Sequence, residues 1–277
     1  MCSNYKPVTL QDRLLAHFGV ARPDDADPPE LTYAGRAAPF IVRAEQREAL
    51  ACHVGLYGLL PDWAPNLAFG RRTYNCRSET MRSKPSFRQA WFEGRRCVIP
   101  VEMLFENCWE SGDPVRWAIC RSNGDPMAVA GLWGVWRDPQ GAEVLSFTML
   151  TVNADGHGVF GRMHPPGDEK RMPVILRLQD QHPWLHGSLA EALAFIRPFP
   201  AEELHAEPDP AAWKPLAEPK SWAQSEDLFA DDWHQAAADP KARALKARRT
   251  RAAPPPPPPP RSGPAEPEPG DTGDLFG

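Results

Sequence analysis

The chain begins Met1-Cys2, and a methionine before a residue as small as cysteine is normally removed, which would leave Cys2 carrying both a free α-amine and a thiol. Nitrogen and sulfur on adjacent carbons make a distinctive pair of nucleophiles. The amine condenses with an aldehyde to an imine, and the thiol then closes on the imine carbon to give a five-membered thiazolidine. An α-amine ionises at about 7.7 to 8.0, so a useful fraction is uncharged at neutral pH, where a lysine has almost none. The same cysteine could instead attack an amide through sulfur, as amino-terminal-nucleophile hydrolases do. Cys2 by itself does not decide between these chemistries.

A second chemical feature is a run of positive charge. Between Arg71 and Arg96 stand Arg71, Arg72, Arg77, Arg82, Lys84, Arg88, Arg95 and Arg96 against only Glu79 and Glu93. The formal net charge is -5, but residues 1 to 200 are neutral, with 22 acidic and 22 basic residues, so this local excess of six can attract a phosphate backbone whatever the total. The bland alternative is a solvated surface stretch. Of the ten tryptophans, Trp63 in LLPDWAP is the loop aromatic best suited to stack on a base, while Trp133 and Trp136 in GLWGVW read as core.

The elements that must position these residues read as an α+β fold, a mainly antiparallel, barrel-like sheet with flanking helices. LQDRLLAHFG (Leu10 to Gly19) patterns as a short amphipathic helix ended by glycine, KPSFRQAWFEG (Lys84 to Gly94) as one opened by proline, and SLAEALAFIRPF as a last helix. RCVIPVEMLFE, VRWAIC, PMAVAGLWGVW, VLSFTMLTV and MPVIL read as strands. Composition shifts near residue 200. Residues 1 to 200 are expected to form the folded domain, and residues 201 to 277, with the unbroken run Pro254 to Pro260, a disordered tail. No apolar stretch reaches membrane length, and six scattered cysteines without a CxxC pair argue against zinc and against a disulfide scaffold. The expectation is a soluble, cytoplasmic, nucleoid-associated monomer without metal or cofactor.

Behind Met1-Cys2, the segments TYNCRSET (Thr73 to Thr80), RRCVIPVEMLFEN (Arg95 to Asn107), TVNA (Thr151 to Ala154) and RMPVIL (Arg171 to Leu176) occur in an order that resembles the SRAP family, the SOS response-associated peptidases. The resemblance covers roughly residues 1 to 200. Members are described as sensors of abasic sites in single-stranded DNA, and the resemblance implies the following roles. Cys2 is the nucleophile. Asn75, Arg77 and Glu79 match an N-A-R-x-E motif whose asparagine lies near the amine and whose arginine meets DNA phosphate. Cys76 stands where alanine is usual. Glu106 matches a glutamate that shuttles protons; a carboxylate in an apolar strand must in any case be paired or protonated. His164, seven residues before Arg171 instead of two, takes the place of a histidine that opens the sugar. Thr151 matches a threonine near the DNA, which Arg71, Arg72, Arg77, Arg82 and Trp63 would also contact. Three departures stand out: Ser3 and Asn4 replace Gly-Arg, and Ala34 replaces an asparagine.

Three functions follow. The first is an abasic-site sensor, with lyase-like chemistry and self-removal of Met1, that forms a thiazolidine crosslink to single-stranded DNA. The second is an amino-terminal-nucleophile autopeptidase or amide hydrolase acting through the Cys2 thiol. The third is a non-catalytic DNA-binding module acting through Arg71 to Arg96. In the tail, KARALKARRTR (Lys241 to Arg251) could add DNA affinity, and QSEDLF (Gln224 to Phe229) loosely resembles peptides that bind sliding clamps.

Overall fold

The computed structural model describes residues 2–23, 28–44 and 49–209. Its centre is a ring of five strands: β3 (Ala37–Arg43), β4 (Leu50–Tyr57), β6 (Arg96–Cys108), β8 (Met127–Arg137) and β9 (Glu143–Asn153). Antiparallel pairings join β4 to β3, β3 to β6, β6 to β8 and β8 to β9. A parallel pairing of β4 with β9, Leu56 opposite Ser146 and Tyr57 opposite Phe147, closes the ring. Closure leaves the barrel without an open edge along these strands.

The first half of β6 shows what the ring demands of sequence. From Arg96 to Val101 it is buried at every position, because β3 and β8 flank it and a helix covers its outer side. That helix is α3 (Leu178–His186), whose Trp184 indole donates to the Cys97 carbonyl at 2.9 Å. Helix α1 (Gln11–Phe18) buries Leu14 and Phe18 one turn apart and ends at Gly19 in the left-handed conformation. Helix α2 (Pro85–Phe92) starts on its proline, and α4 (Leu189–Ala194) is opened by a capping box between Ser188 and Glu191.

Shorter strands extend the ring. β1 (Asn4–Pro7) adds to β6 and β2 (Thr32–Tyr33) to β1; β5 (Asn75–Arg77) and β10 (Arg171–Pro173) add to β9. β7 (Val115–Arg121) pairs with β6, β11 (Ile175–Leu176) with β8, and β12 (Leu204–Pro208) with β7. The ladder therefore runs past residue 200, the boundary expected from composition. The proline run, the basic stretch and the clamp-like peptide lie outside the described residues. The α+β, mainly antiparallel barrel expected from sequence is the observed fold. Strands β3 and β4 and helix α3 were not expected. The segment MPVIL is divided between β10 and β11.

The run of positive charge is thinner at the surface than in the sequence. Arg96 is buried and donates to the carbonyls of Trp184 and Gly187, fastening α3 to the barrel. Arg95 is half-buried, paired with Glu93 at 2.7 Å and lying against Trp133.

One glycine decides where β5 can lie. Gly58 follows β4 at φ 140°, and a Cβ there would stand 2.2 Å from the Gly70 carbonyl oxygen. This close crossing lets the Leu59 amide reach Thr73 and the Thr73 hydroxyl return to Leu59, which sets the approach to Asn75. Gly58→Ala is expected to lower stability by about 2–4 kcal/mol through strain and overlap. Urea unfolding would measure this; a loss below about 0.5 kcal/mol would mean that the crossing is not constrained.

Candidate active site

Four residues from separate parts of the chain meet beside the start of β1. Cys2 precedes that strand and is 1% exposed. Because Asn4 pairs with Phe105, the register sets Cys2 beside the middle of β6, with its Sγ 3.8 Å from the Phe105 carbonyl oxygen and 3.7 Å from that of Asn4. Glu106 is the next residue of β6 and is 8% exposed. Asn75 comes from β5, held parallel to β9, and its Nδ2 donates to the Cys2 carbonyl at 3.1 Å. The Tyr57 hydroxyl donates to that same oxygen at 2.8 Å.

His164 arrives from the other side. Its amide donates to the Asn107 carbonyl, next to Glu106, and Met163 bridges to Cys108, so the histidine segment is stitched onto the end of β6. The His164 Nε2 lies 3.7 Å from Glu106 Oε2, both side chains being buried. His164 is the one non-glycine residue with positive φ, 68°, among those described. A strained backbone at a buried titratable side chain marks a position that its surroundings hold in place.

Burial governs the electrostatics. It raises the Glu106 carboxyl from its ordinary 4.5 to about 7, against the opposing pull of the terminal ammonium charge and then of a hydrogen bond with the Cys2 thiol. Burial also lowers the His164 imidazole to about 4. The Cys2 thiol is pushed well above its usual range, first by burial and then by the negative charge of Glu106. At neutral pH the site therefore holds a neutral thiol, a neutral imidazole and a carboxyl poised between its two forms. Such a carboxyl can both give and take a proton.

Cys2, Asn75, Glu106 and His164, singled out in the sequence, are thus brought together. Arg71, Arg72, Arg77 and Arg82 are exposed; Arg77 stands two residues after Asn75 on β5 and pairs with Glu169 at 3.1 Å. Trp63 is 53% exposed, edge-on to Phe69. Thr151, expected at the DNA surface, is buried. Its hydroxyl donates to the Cys76 carbonyl and lies 3.2 and 3.3 Å from the Arg171 guanidinium. Ala34 donates its amide to the Ser3 carbonyl at 3.1 Å, a contact that needs no side chain. Sequence reasoning missed Tyr57, Glu169 and Lys170, and missed the part of Arg171, whose guanidinium spans Glu79, Glu169 and Thr151. Among the described residues, no group of three or more His, Cys, Asp or Glu could hold a metal ion.

Residues 1–210 match the family described as "SOS response associated peptidase (SRAP)". The chain belongs to the SRAP family. Curated relatives include the "Abasic site processing protein YoqW" of Bacillus subtilis, 29% identical over 156 residues that span 54% of this chain and 65% of that protein. The "Abasic site processing protein HMCES" of Xenopus tropicalis is 30% identical over 141 residues, 43% of this chain and 40% of that one. The chain therefore aligns with less than two thirds of these relatives' length. Among solved structures, a Bordetella bronchiseptica protein superposes with a TM-score of 0.70 at 33% identity, covering 75% of this chain and 99% of that one. One from Bacteroides thetaiotaomicron gives 0.65 at 23% identity, over 75% and 91%, a likeness of fold. The barrel with its added strands is thus the SRAP-like fold.

Two of the shifted groups of the SRAP site, Glu106 and His164, act oppositely on stability. Folded Glu106 keeps its proton up to about 7, whereas the unfolded carboxyl loses it near 4.5. Its contribution is therefore fully present below 4.5 and is lost as pH rises to 7. His164 is neutral in the fold down to about 4 and takes a proton near 6.5 when unfolded, so its contribution is present above 6.5 and lost as pH falls to 4. In Glu106→Gln, stability should rise with pH between 4.5 and 6.5; in His164→Gln it should fall over that window. Each slope should approach roughly 1.4 kcal/mol per pH unit relative to the parent. Chemical denaturation across this range tests both, and parallel curves for the two variants would contradict the assignment.

Proposed function

We propose that this protein processes abasic sites in single-stranded DNA by joining the damaged sugar covalently to Cys2 after Met1 is removed. The supporting observation is the convergence of Cys2, Asn75, Glu106 and His164 from four separate segments, in a chain whose Arg71, Arg72, Arg77 and Arg82 are exposed. The names of the curated relatives point the same way.

The chemistry follows from the protonation states. The uncharged α-amine of Cys2 attacks the aldehyde carbon of the opened sugar, forming a C–N bond, while the carbonyl pair moves to oxygen and takes a proton from Glu106. Nitrogen returns a proton to the Glu106 carboxylate. Glu106 then protonates the departing hydroxyl, and water leaves as the nitrogen pair forms an iminium. Finally Sγ bonds to the same carbon, the C=N pair returns to nitrogen, and the thiol proton passes to Glu106. One aldehyde and one aminothiol become a thiazolidine and one water. In opening the sugar, the neutral imidazole of His164 takes the proton of the C1 hydroxyl as C1=O forms and the bond from C1 to the ring oxygen breaks, and it returns that proton to the ring oxygen.

The high thiol pKa suits this order, because the amine reacts first and sulfur is needed only once a strong electrophile stands beside it. It counts against the amide-hydrolase reading, which needs a thiolate at the outset. Phosphate attraction falls to the exposed arginines and base stacking to Trp63. The protein would act as a monomer on single-stranded DNA in the cytoplasm, with the clamp-like peptide as a further contact.

Incubation with a single-stranded abasic oligonucleotide should give an adduct of one to one mass that survives denaturation. Cys2→Ala keeps the amine and should give an adduct only when borohydride traps the imine. Chain that retains Met1 should give none, and an adduct on Met1-bearing chain would overturn the proposal. Arg77→Ala should weaken retention of any single-stranded sequence and reduce the salt slope by about one. An unchanged slope would remove Arg77 from the DNA surface.

A further inference from the structure

Cys2 is held differently from the other members of the site. Asn75 and Glu106 lie within strands, where ladder pairing fixes their backbones. Cys2 lies ahead of β1, which starts at Asn4, so no strand pairing holds it. In the proposed function, on which this inference rests, removal of Met1 also deletes the chain on its amino side. The terminal residue could then pivot about its Cα–C bond, swinging the amine relative to Glu106.

Two donors meet on the Cys2 carbonyl oxygen, the Tyr57 hydroxyl at 2.8 Å and Asn75 Nδ2 at 3.1 Å. Tyr57 is a stiff anchor. Its ring is fully buried, stacked on Phe147 at 5.5 Å and set edge-on to Tyr5 and Tyr74. Its backbone is held on both sides, the amide donating to the Arg36 carbonyl and the carbonyl accepting from Gly35. The hydroxyl has one proton, and the alternative acceptor, Met149 Sδ at 3.4 Å, is weak.

We infer that Tyr57 is a positioning residue for the aminothiol: with Asn75 it clamps the Cys2 carbonyl, which fixes the axis about which the terminal amine can turn, while the Sγ contacts with the Asn4 and Phe105 carbonyls limit the turn itself. Two consequences follow. The clamp fixes the Cys2 peptide plane, which otherwise would be set anew in each encounter with substrate. Hydrogen bonds to the carbonyl also draw electron density from the neighbouring carbon, which makes the amine less basic and more of it uncharged at neutral pH. Burial keeps the phenol protonated far above its ordinary range, so it remains a donor wherever the reaction runs.

Tyr57→Phe keeps the ring and removes only the hydroxyl. Two assays on the full-length, Met1-free protein separate this inference from the function beneath it. In the first, a small aldehyde such as glyoxylate forms the thiazolidine on Cys2, followed by mass against pH. In the second, an abasic oligonucleotide is crosslinked in a single turnover, with its dissociation constant measured separately. Tyr57→Phe should leave oligonucleotide affinity within twofold, slow the maximal rate in both assays by roughly 10–100-fold, and move the pH midpoint of the glyoxylate reaction upward by about half a unit. If the phenylalanine variant folds poorly, 3,5-difluorotyrosine at position 57, a stronger donor, should move that midpoint down. Crosslinking by the parent with an unchanged rate and midpoint in the Tyr57 variants overturns the positioning role and leaves the function standing. A Tyr57-dependent glyoxylate reaction without any oligonucleotide adduct overturns the function and leaves the positioning role. Reaction with neither overturns both.

Discussion

The site depends on the desolvation of one carboxyl group. Glu106 is carried on β6, the strand that pairs with β1, β3, β7 and β8, and it cannot move away from its buried position without unravelling that ladder. An ionised carboxylate there would be costly, so the group keeps its proton to about neutral pH. The same dry surroundings keep the Cys2 thiol and the His164 imidazole uncharged. A thiol and an imidazole are thus held uncharged beside a carboxyl that in water would already have lost its proton.

Behind the site, a second electrostatic arrangement holds β5 in register. Arg171 is 2% exposed, yet its guanidinium meets Glu79 at 2.9 and 3.2 Å, Glu169 at 2.6 Å and the Thr151 carbonyl at 2.7 Å. A buried arginine is tolerable only with its donors occupied, so removing one partner would leave charge stranded. Glu79 follows β5, Thr151 lies on β9, and Glu169 stands in the loop after His164. One side chain therefore ties together the segments that carry Asn75 and His164. Glu169 also pairs with Arg77, which joins this buried network to the cationic surface.

Much of this architecture could be read along the chain, and the gaps have identifiable causes. Helix α1 was legible because Leu14 and Phe18 recur one turn apart before Gly19, and β6 to β9 because their apolar, β-branched runs are long. Helix α3 was hidden by Pro183 within it and by an apolar face reduced to Trp184 and Leu185. Arg96 looked like its seven cationic neighbours, since nothing local distinguishes the one guanidinium that a distant helix will cover. Cys2, Asn75, Glu106 and His164 were legible through motifs. Tyr57 was not, because its contact with residue 2 spans 55 positions and its own surroundings are those of any strand tyrosine.

The loop after His164 puts six residues between it and Arg171, which on spacing alone would loosen the histidine. The structure reverses that inference. His164 sits in the left-handed region, a conformation that costs a non-glycine residue about 1–2 kcal/mol. Contacts on both sides offset this cost. Its amide is bound to Asn107, while the Lys170 ammonium takes the carbonyls of His164 and Pro165 at 2.9 Å each. Lys170 is in turn fixed by its own backbone, the amide to Asp155 and the carbonyl to the Ala154 amide. The added residues thus bring their own fastening, with Lys170 gripping the histidine backbone and Glu169 gripping Arg171. After burial, the Lys170 charge also helps to keep the imidazole neutral, so a longer loop preserves both the position and the protonation state of His164.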